Sequence, residues 1–503
     1  MNRCFLLIGL LTVLSLNISC KKSNEILVSK DTITILYPGD ERIFHQDYWG
    51  MEATFWIFLP LVAYEGGESG ELQPVLAERW THSEDYREWT VHLRKDIYWH
   101  DGVQMTANDI KFSLDLKKKA FGGYSMGIKF DLIDDFTFKL IGEKPIPKLP
   151  FWEVYYPKHL LDTLDPDEYF NWDFWKHPIG NGPYRFVRSE AKTMVEVEAN
   201  PNYFRTQPKI KKAILKFSDQ ASLPELLSGN VDVITDVPRD FLFKIDGDKR
   251  FQSYYWWGVW IQTINWNHNH KLFSDAKVRK ALTMAVNRNE LAQVLNYPKN
   301  IPIADVLYTK KQRATLDFPT PVAYDPEGAI QLLIECGWND ANQDHILEKN
   351  GLNFSFTITV VEANTLMATY IQENFRRIGV HMKVETTEWN IVKQRLENND
   401  FEAIIGSLPS HDIYGLKNLL GKDSFIGYNN REIDSLLTAI QGTGNPEEIE
   451  ELYKKMMPIL QNEFPLTFIF PQVLTHIAHK RIKGMNNHYN SDPVQFLEFL
   501  WIE

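Results

Sequence analysis

The chain has 503 residues, 44% of them hydrophobic and 24% charged, with a formal net charge of −12. That length exceeds what one hydrophobic core serves, so two or three domains are expected, and the apolar content argues against disorder. The acidic balance argues against a nucleic-acid partner, which needs a basic stripe, and disfavours electrostatic binding to anionic membrane.

At the N-terminus, Arg3 precedes an uncharged apolar stretch from Phe5 to Ile18, then Ser19, Cys20, Lys21 and Lys22. A short apolar stretch behind a basic residue reads as a secretory signal and falls short of the about 20 residues of a spanning helix. The alternative is a short anchor that stays attached. Ser19-Cys20 resembles a bacterial lipobox, in which the cysteine is acylated and becomes the mature N-terminus. Asn17 departs from that pattern, with Leu16 one place further back than the usual leucine. Residues 1–20 are thus expected to be a signal peptide with Cys20 lipidated, and 21–30 a tether. Each buried CH₂ of the lipid would contribute ~0.8 kcal/mol to membrane attachment. With Cys4 removed and Cys20 acylated, Cys336 is left alone and cannot form an internal disulfide.

Beyond the tether, strand and helix signals alternate without a repeat or a long linker. Trp89, Val91 and Leu93 alternate with Thr90, His92 and Arg94, the pattern of a half-buried strand. Asp101-Gly102 marks a turn, and Thr106-Ala107-Asn108-Asp109 resembles a capping box that starts a helix through Ile110 and Leu114. Asp325-Pro326-Glu327 supplies an N-cap, a first-turn proline and an acid for a helix packing through Ala329, Leu332, Leu333 and Cys336. A helix through Leu366, Tyr370, Ile371, Phe375 and Ile378 stops at Gly379, and the strand that follows alternates Val380, Met382 and Val384. Ile433, Leu436, Leu437 and Ile440 repeat at helical spacing, and Asn445-Pro446-Glu447-Glu448 opens another helix. The fold class is mixed α/β.

In this order the segments resemble the family 5 extracellular solute-binding proteins, the oligopeptide- and dipeptide-binding group. The resemblance rests on Pro74-Val75-Leu76-Ala77-Glu78-Arg79-Trp80, Gly180-Asn181-Gly182-Pro183-Tyr184, Leu227-Ser228-Gly229-Asn230-Val231-Asp232, Phe273 through Leu282, Tyr324 through Trp338, and Gly427-Tyr428-Asn429-Asn430. It implies a periplasmic-binding-protein-like fold of type II, with three lobes in discontinuous segments and a ligand cleft between them. Lobe I would combine 31–52, 175–262 and 486–503; lobe II would span 53–174 and lobe III 263–485. The crossing at Trp260–Asn265 is the candidate hinge for domain closure. The implied protein is a monomeric, outward-facing lipoprotein that catalyses nothing, needs no cofactor, and hands its ligand to an ABC transporter permease.

The resemblance also nominates ligand-binding residues. Glu388-Trp389 matches the segment that supplies a pocket tryptophan in peptide-binding relatives; a core tryptophan at a strand end is the alternative. In Gly406-Ser407-Leu408-Pro409-Ser410-His411-Asp412, Leu408 stands where peptide binders have tryptophan. His411 occupies the place of the aspartate that pairs with a ligand's α-amino group, and Asp412 follows one residue late. Asp412 is either that amine partner or a solvated loop acid. Trp256, Trp257 and Trp260 cluster beside the crossing and could stack on side chains or sugar rings. The expected ligand is a peptide held by Trp260, Trp389, His411 and Asp412, with an oligosaccharide or metal complex as alternatives.

Two further patterns carry less. Gly123-Tyr124-Ser125-Met126-Gly127 fits the G-x-S-x-G nucleophile pattern of a serine hydrolase but lacks the strand-before, helix-after context of that elbow. His268-Asn269-His270 suggests a metal pair without an identifiable third ligand.

Overall fold

Burial follows the alternation of the sequence: along the strand Glu88–Leu93, Trp89, Val91 and Leu93 face inward while their neighbours are only half-buried. The helix caps also form as expected. Asp325 accepts from the Gly328 N–H at the start of the helix Pro326–Glu335, and Asn445 accepts from Glu447 and Glu448 at the start of Pro446–Glu463. A computed structural model describes residues 31–38, 54–64, 72–121, 127–147, 149, 153–190, 192–218, 221–237, 240–297, 301, 303, 320–409, 413–485 and 497–503.

A ten-stranded mixed sheet organises the molecule. In spatial order its strands are His381–Thr386, Ser355–Val360, Ala403–Pro409, Phe251–Trp266, Leu466–His479, Val233–Ile234, Thr32–Pro38, Lys212–Ser218, Met194–Ala199 and Tyr184–Glu190. At one end Ser355–Val360 runs parallel to both His381–Thr386 and Ala403–Pro409. At the other, Lys212–Ser218 runs parallel to Thr32–Pro38, and Met194–Ala199 and Tyr184–Glu190 extend the sheet by antiparallel pairing. A separate four-stranded antiparallel sheet is built from Ala77–His82, Glu88–Leu93, Thr137–Gly142 and Ile128–Asp134.

The packing divides the described residues into two bodies. One continuous core joins the four-stranded sheet to the Thr32–Pro38 end of the large sheet, drawing on Ile33, Trp56, Trp89, Phe138, Tyr184, Val197, Tyr254 and Leu500. Two adjoining cores fill the other body. One gathers Trp266, Leu282, Phe356 and Phe375; the other gathers Ile404, Leu437, Met456 and Phe468. The bodies are bridged by Phe251–Trp266 and Leu466–His479, 16 and 14 residues long. At the rise of an extended chain the longer strand spans about 50 Å. Their ladder is irregular where they cross, with register shifts on either side of Ile261, and Pro471 is its partner there. Proline contributes no N–H to a ladder, so the crossing is the most weakly bonded stretch of the bridge. No helix among the described residues is long and apolar enough to cross a membrane.

Candidate functional site

Ligands of open α/β sheets bind outside the carboxyl ends of parallel strands, where backbone groups and helix starts converge. Here three such strands, Ser355–Val360, His381–Thr386 and Ala403–Pro409, end on one edge of the second body. Val360 pairs with Thr386, whereas Thr359 pairs with Ile404, so Ala403–Pro409 projects beyond its neighbours by four residues, about 13 Å. That projection pairs antiparallel with the bridge strand, Trp260 opposite Pro409 and Gln262 opposite Ser407.

Trp389 is the first residue of the helix Trp389–Asn398, reached from Thr386 through a backbone bond from Thr387 N–H to the Val360 carbonyl (2.9 Å). The helix is fixed to the sheet by Arg395, which donates to both Glu385 oxygens (2.6 and 2.8 Å) and to Thr359 Oγ1 (3.0 Å). Arg395 holds the Glu385 carboxyl below its ordinary range, so the pair stays charged at neutral pH. Trp389 is 63% exposed, which overturns the core alternative for this side chain. Trp260 is partly buried within the bridge. Nearby, Tyr297 donates to Gln262 Oε1 (3.2 Å) and its ring packs edge-on against Phe470 (4.7 Å). Gln262 and Tyr297 carried no motif in the sequence; only the register brings them to the crossing.

His411, Asp412 and Cys20 lie outside the described residues, as does Ser125. The strand Ala403–Pro409 ends directly across from Trp260, and the next described element is the helix Ile413–Leu420. Trp260 therefore stands at the far end of the projecting strand Ala403–Pro409, and Trp389 follows His381–Thr386, which lies three strands from the bridge strand in sheet order.

Other patterns resolve into structure. The helix Ala107–Phe121 precedes Ser125 and the strand Ile128–Asp134 follows it, the reverse of the order a nucleophile elbow requires. His268 Nε2 bonds the Pro465 carbonyl (3.0 Å) and His270 Nε2 faces Glu402 (3.2 Å), so the two rings serve separate partners. Burial pushes the His268 imidazole down to about 4, keeping it neutral. No group of three or more His, Cys, Asp or Glu side chains among the described residues could hold a metal ion.

The Gly180-Asn181-Gly182 loop is a junction within the first body. The N–H groups of Asn181 and Gly182 both donate to the Ile57 carbonyl (2.9 and 2.7 Å), and Asn181 Oδ1 accepts from the Leu59 N–H (2.9 Å). Glycine is required by space: a Cβ on Gly182 would lie 2.6 Å from the Trp56 carbonyl oxygen, and one on Gly180 would overlap that of Ile57. His100 closes the junction, accepting from Gly180 N–H at Nδ1 (3.2 Å) and bonding the Gly182 carbonyl through Nε2 (3.1 Å).

The family described as bacterial extracellular solute-binding proteins, family 5 Middle, matches residues 71–413. The oligopeptide-binding protein AppA of Bacillus subtilis is 26% identical over 442 residues, 80% of this chain and 79% of the relative. Heme-binding protein A of Haemophilus influenzae is 25% identical over 478 residues, 85% and 84% of the two chains. The solved structure of Bacillus subtilis AppA in complex with a nonapeptide superposes with a TM-score of 0.74 at 22% identity, covering 94% of this chain and 99% of that one.

Proposed function

Because the chain belongs to the family 5 bacterial extracellular solute-binding proteins, we propose that it captures peptides outside the cytoplasm and delivers them to an ABC importer's permease. The observation that carries this reading is mechanical: two bodies with separate cores joined by two strands whose ladder is irregular at the crossing. Such a bridge permits the bodies to swing together, and burial of a guest between them stabilises the closed form by its differential affinity. The relative named as an oligopeptide-binding protein supports a peptide as the guest.

In this reading the ligand lies beside Trp260, at the end of the projecting strand Ala403–Pro409. Its backbone pairs strand-fashion with exposed ladder groups, and its amine is met by Asp412 or His411. Trp389 covers a side chain. The first lobe combines 31–52, 175–262 and 486–503, the second spans 53–174, and the third spans 263–485. Cys20 carries the lipid, the protein is a monomer, and it performs no chemistry on its ligand. Thermal unfolding with random peptide mixtures tests the ligand class, because a ligand bound only by the folded state raises Tm with concentration. A rise with peptides is expected; no rise with peptides, alongside one with sugars or heme, would replace the assignment.

The relative named as a heme-binding protein, together with histidine at 411 in place of aspartate, favours a non-peptide guest as the second reading. The same titration separates the two.

A further inference from the structure

The two bodies also touch away from their bridge. Tyr86 sits at the tip of the turn joining Ala77–His82 to Glu88–Leu93 in the first body, and Gly444 in the turn between the helices Arg431–Gly442 and Pro446–Glu463 of the second. Gly444 is buried, and a Cβ built on it would overlap Cβ and Cγ of Tyr86.

Both turns are rigid. Tyr86 stacks on His82 (4.1 Å, 19°) and approaches Trp89 (6.2 Å), and its carbonyl accepts from the Ile146 N–H (2.8 Å). It holds a left-handed backbone (φ 56°), uncommon for a bulky residue and maintained only where the surroundings fix it. Opposite, Thr443 donates to Glu448 Oε2 (2.6 Å) and accepts from the Asn445 N–H (3.2 Å), and Asn445 caps the following helix. The backbone of Gly444 lies outside the left-handed region, so its own conformation admits any residue. The demand for glycine there comes from Tyr86, in the other body.

We propose that Tyr86 and Gly444 form a latch: a contact between the bodies that exists only when they are together and that biases the molecule toward closure before ligand arrives. The latch rests on the closing motion proposed above, but not on the ligand being a peptide. Because the three atoms nearest a Cβ at 444 all belong to Tyr86, Gly444→Leu is expected to open the latch, with Gly444→Ala as the milder form.

The test places donor and acceptor dyes on the full-length chain at Lys176→Cys and Lys393→Cys, exposed positions on the two bodies, with Cys4, Cys20 and Cys336 replaced by serine. Without ligand, Gly444→Leu is expected to lower transfer efficiency, and in peptide titrations to weaken binding about tenfold. In a Tyr86→Ala background the same substitution should change neither. Unchanged transfer in Gly444→Leu overturns the latch, as does an effect of equal size with Tyr86 removed. A wild-type chain that binds no peptide, yet loses transfer on Gly444→Leu, discards the peptide reading and keeps the latch.

Discussion

Trp260 stands directly opposite Pro409 in the antiparallel ladder, so the last described residue of the strand Ala403–Pro409 is paired with a tryptophan on the bridge between the bodies. Trp260→Ala is expected to weaken ligand binding by about 30-fold, the roughly 2 kcal/mol of an aromatic hot spot. Calorimetric titration measures it. An unaltered affinity would place Trp260 outside the cleft.

Trp389 offers a cleaner separation of binding from folding. At 63% exposure its replacement by alanine should shift unfolding free energy by less than about 0.5 kcal/mol. Affinity should fall nonetheless, provided the ligand reaches the edge where the parallel strands end. Loss of stability without loss of affinity would reverse the assignment.

Within the first body, Asn181→Ala removes the acceptor of the Leu59 N–H and should cost about 1–3 kcal/mol. Gly182→Ala should cost a similar ~1–3 kcal/mol by overpacking against the Trp56 and Ile57 backbone. Urea denaturation reads both, and a neutral result for the pair would mean the junction is not a rigid seam.

His100 gives stability a pH dependence. Its two bonds at the Gly180–Gly182 junction require a neutral ring with the proton on Nε2, and burial pushes its pKa down to about 4 from 6.5. A depressed histidine contributes fully above the unfolded pKa. Between pH 6.5 and 4 the unfolded chain takes up a proton that the folded chain refuses, and stability declines as pH falls. His268 acts in the same direction. Tm should drop over that interval, and His100→Gln should flatten part of the slope; an identical slope in the variant would remove His100 from the account.

Arg279 is buried with its guanidinium on three backbone carbonyls, those of Phe464 (2.8 Å), Phe273 (2.6 Å) and Glu463 (2.6 Å). Two of these lie at the C-terminus of the helix Pro446–Glu463, whose dipole favours a cation. Burial pushes the group down to about 10, which still leaves it charged at neutral pH. Arg279→Met strands these acceptors and should cost about 3–5 kcal/mol. A loss below about 1 kcal/mol by urea denaturation would show that water replaces the guanidinium.

Features encoded within a few residues are legible in the sequence. The caps at Asp325 and Asn445 and the alternation in Glu88–Leu93 depend on neighbours in the chain, and each forms where its pattern places it. Among the tryptophans, Trp56, Trp99 and Trp266 are fully buried and serve packing, which no local pattern announces. Sheet order is not legible, because pairing Val233–Ile234 with Leu466–His479 is a long-range choice with no local signature. For the same reason the approach of Trp260 to Pro409 and the fit of Gly444 to Tyr86 leave no trace in spacing. The glycines at 180 and 182 are visible as a motif, but their purpose, room for the Ile57 backbone, emerges only from the fold.

The interleaving of the strands dictates an order of events during synthesis. Val233–Ile234 pairs with residues 477 and 478, and Leu497 and Leu500 complete the core to which Ile33 belongs. Roughly the last 30 residues must therefore emerge before the first body can finish assembling. A chain emerging from its N-terminus therefore has its opening segments waiting for their partners until almost the whole of it is made. A stop codon even close to the end, by removing Leu497 and Leu500, would leave that core incomplete and open to proteolysis.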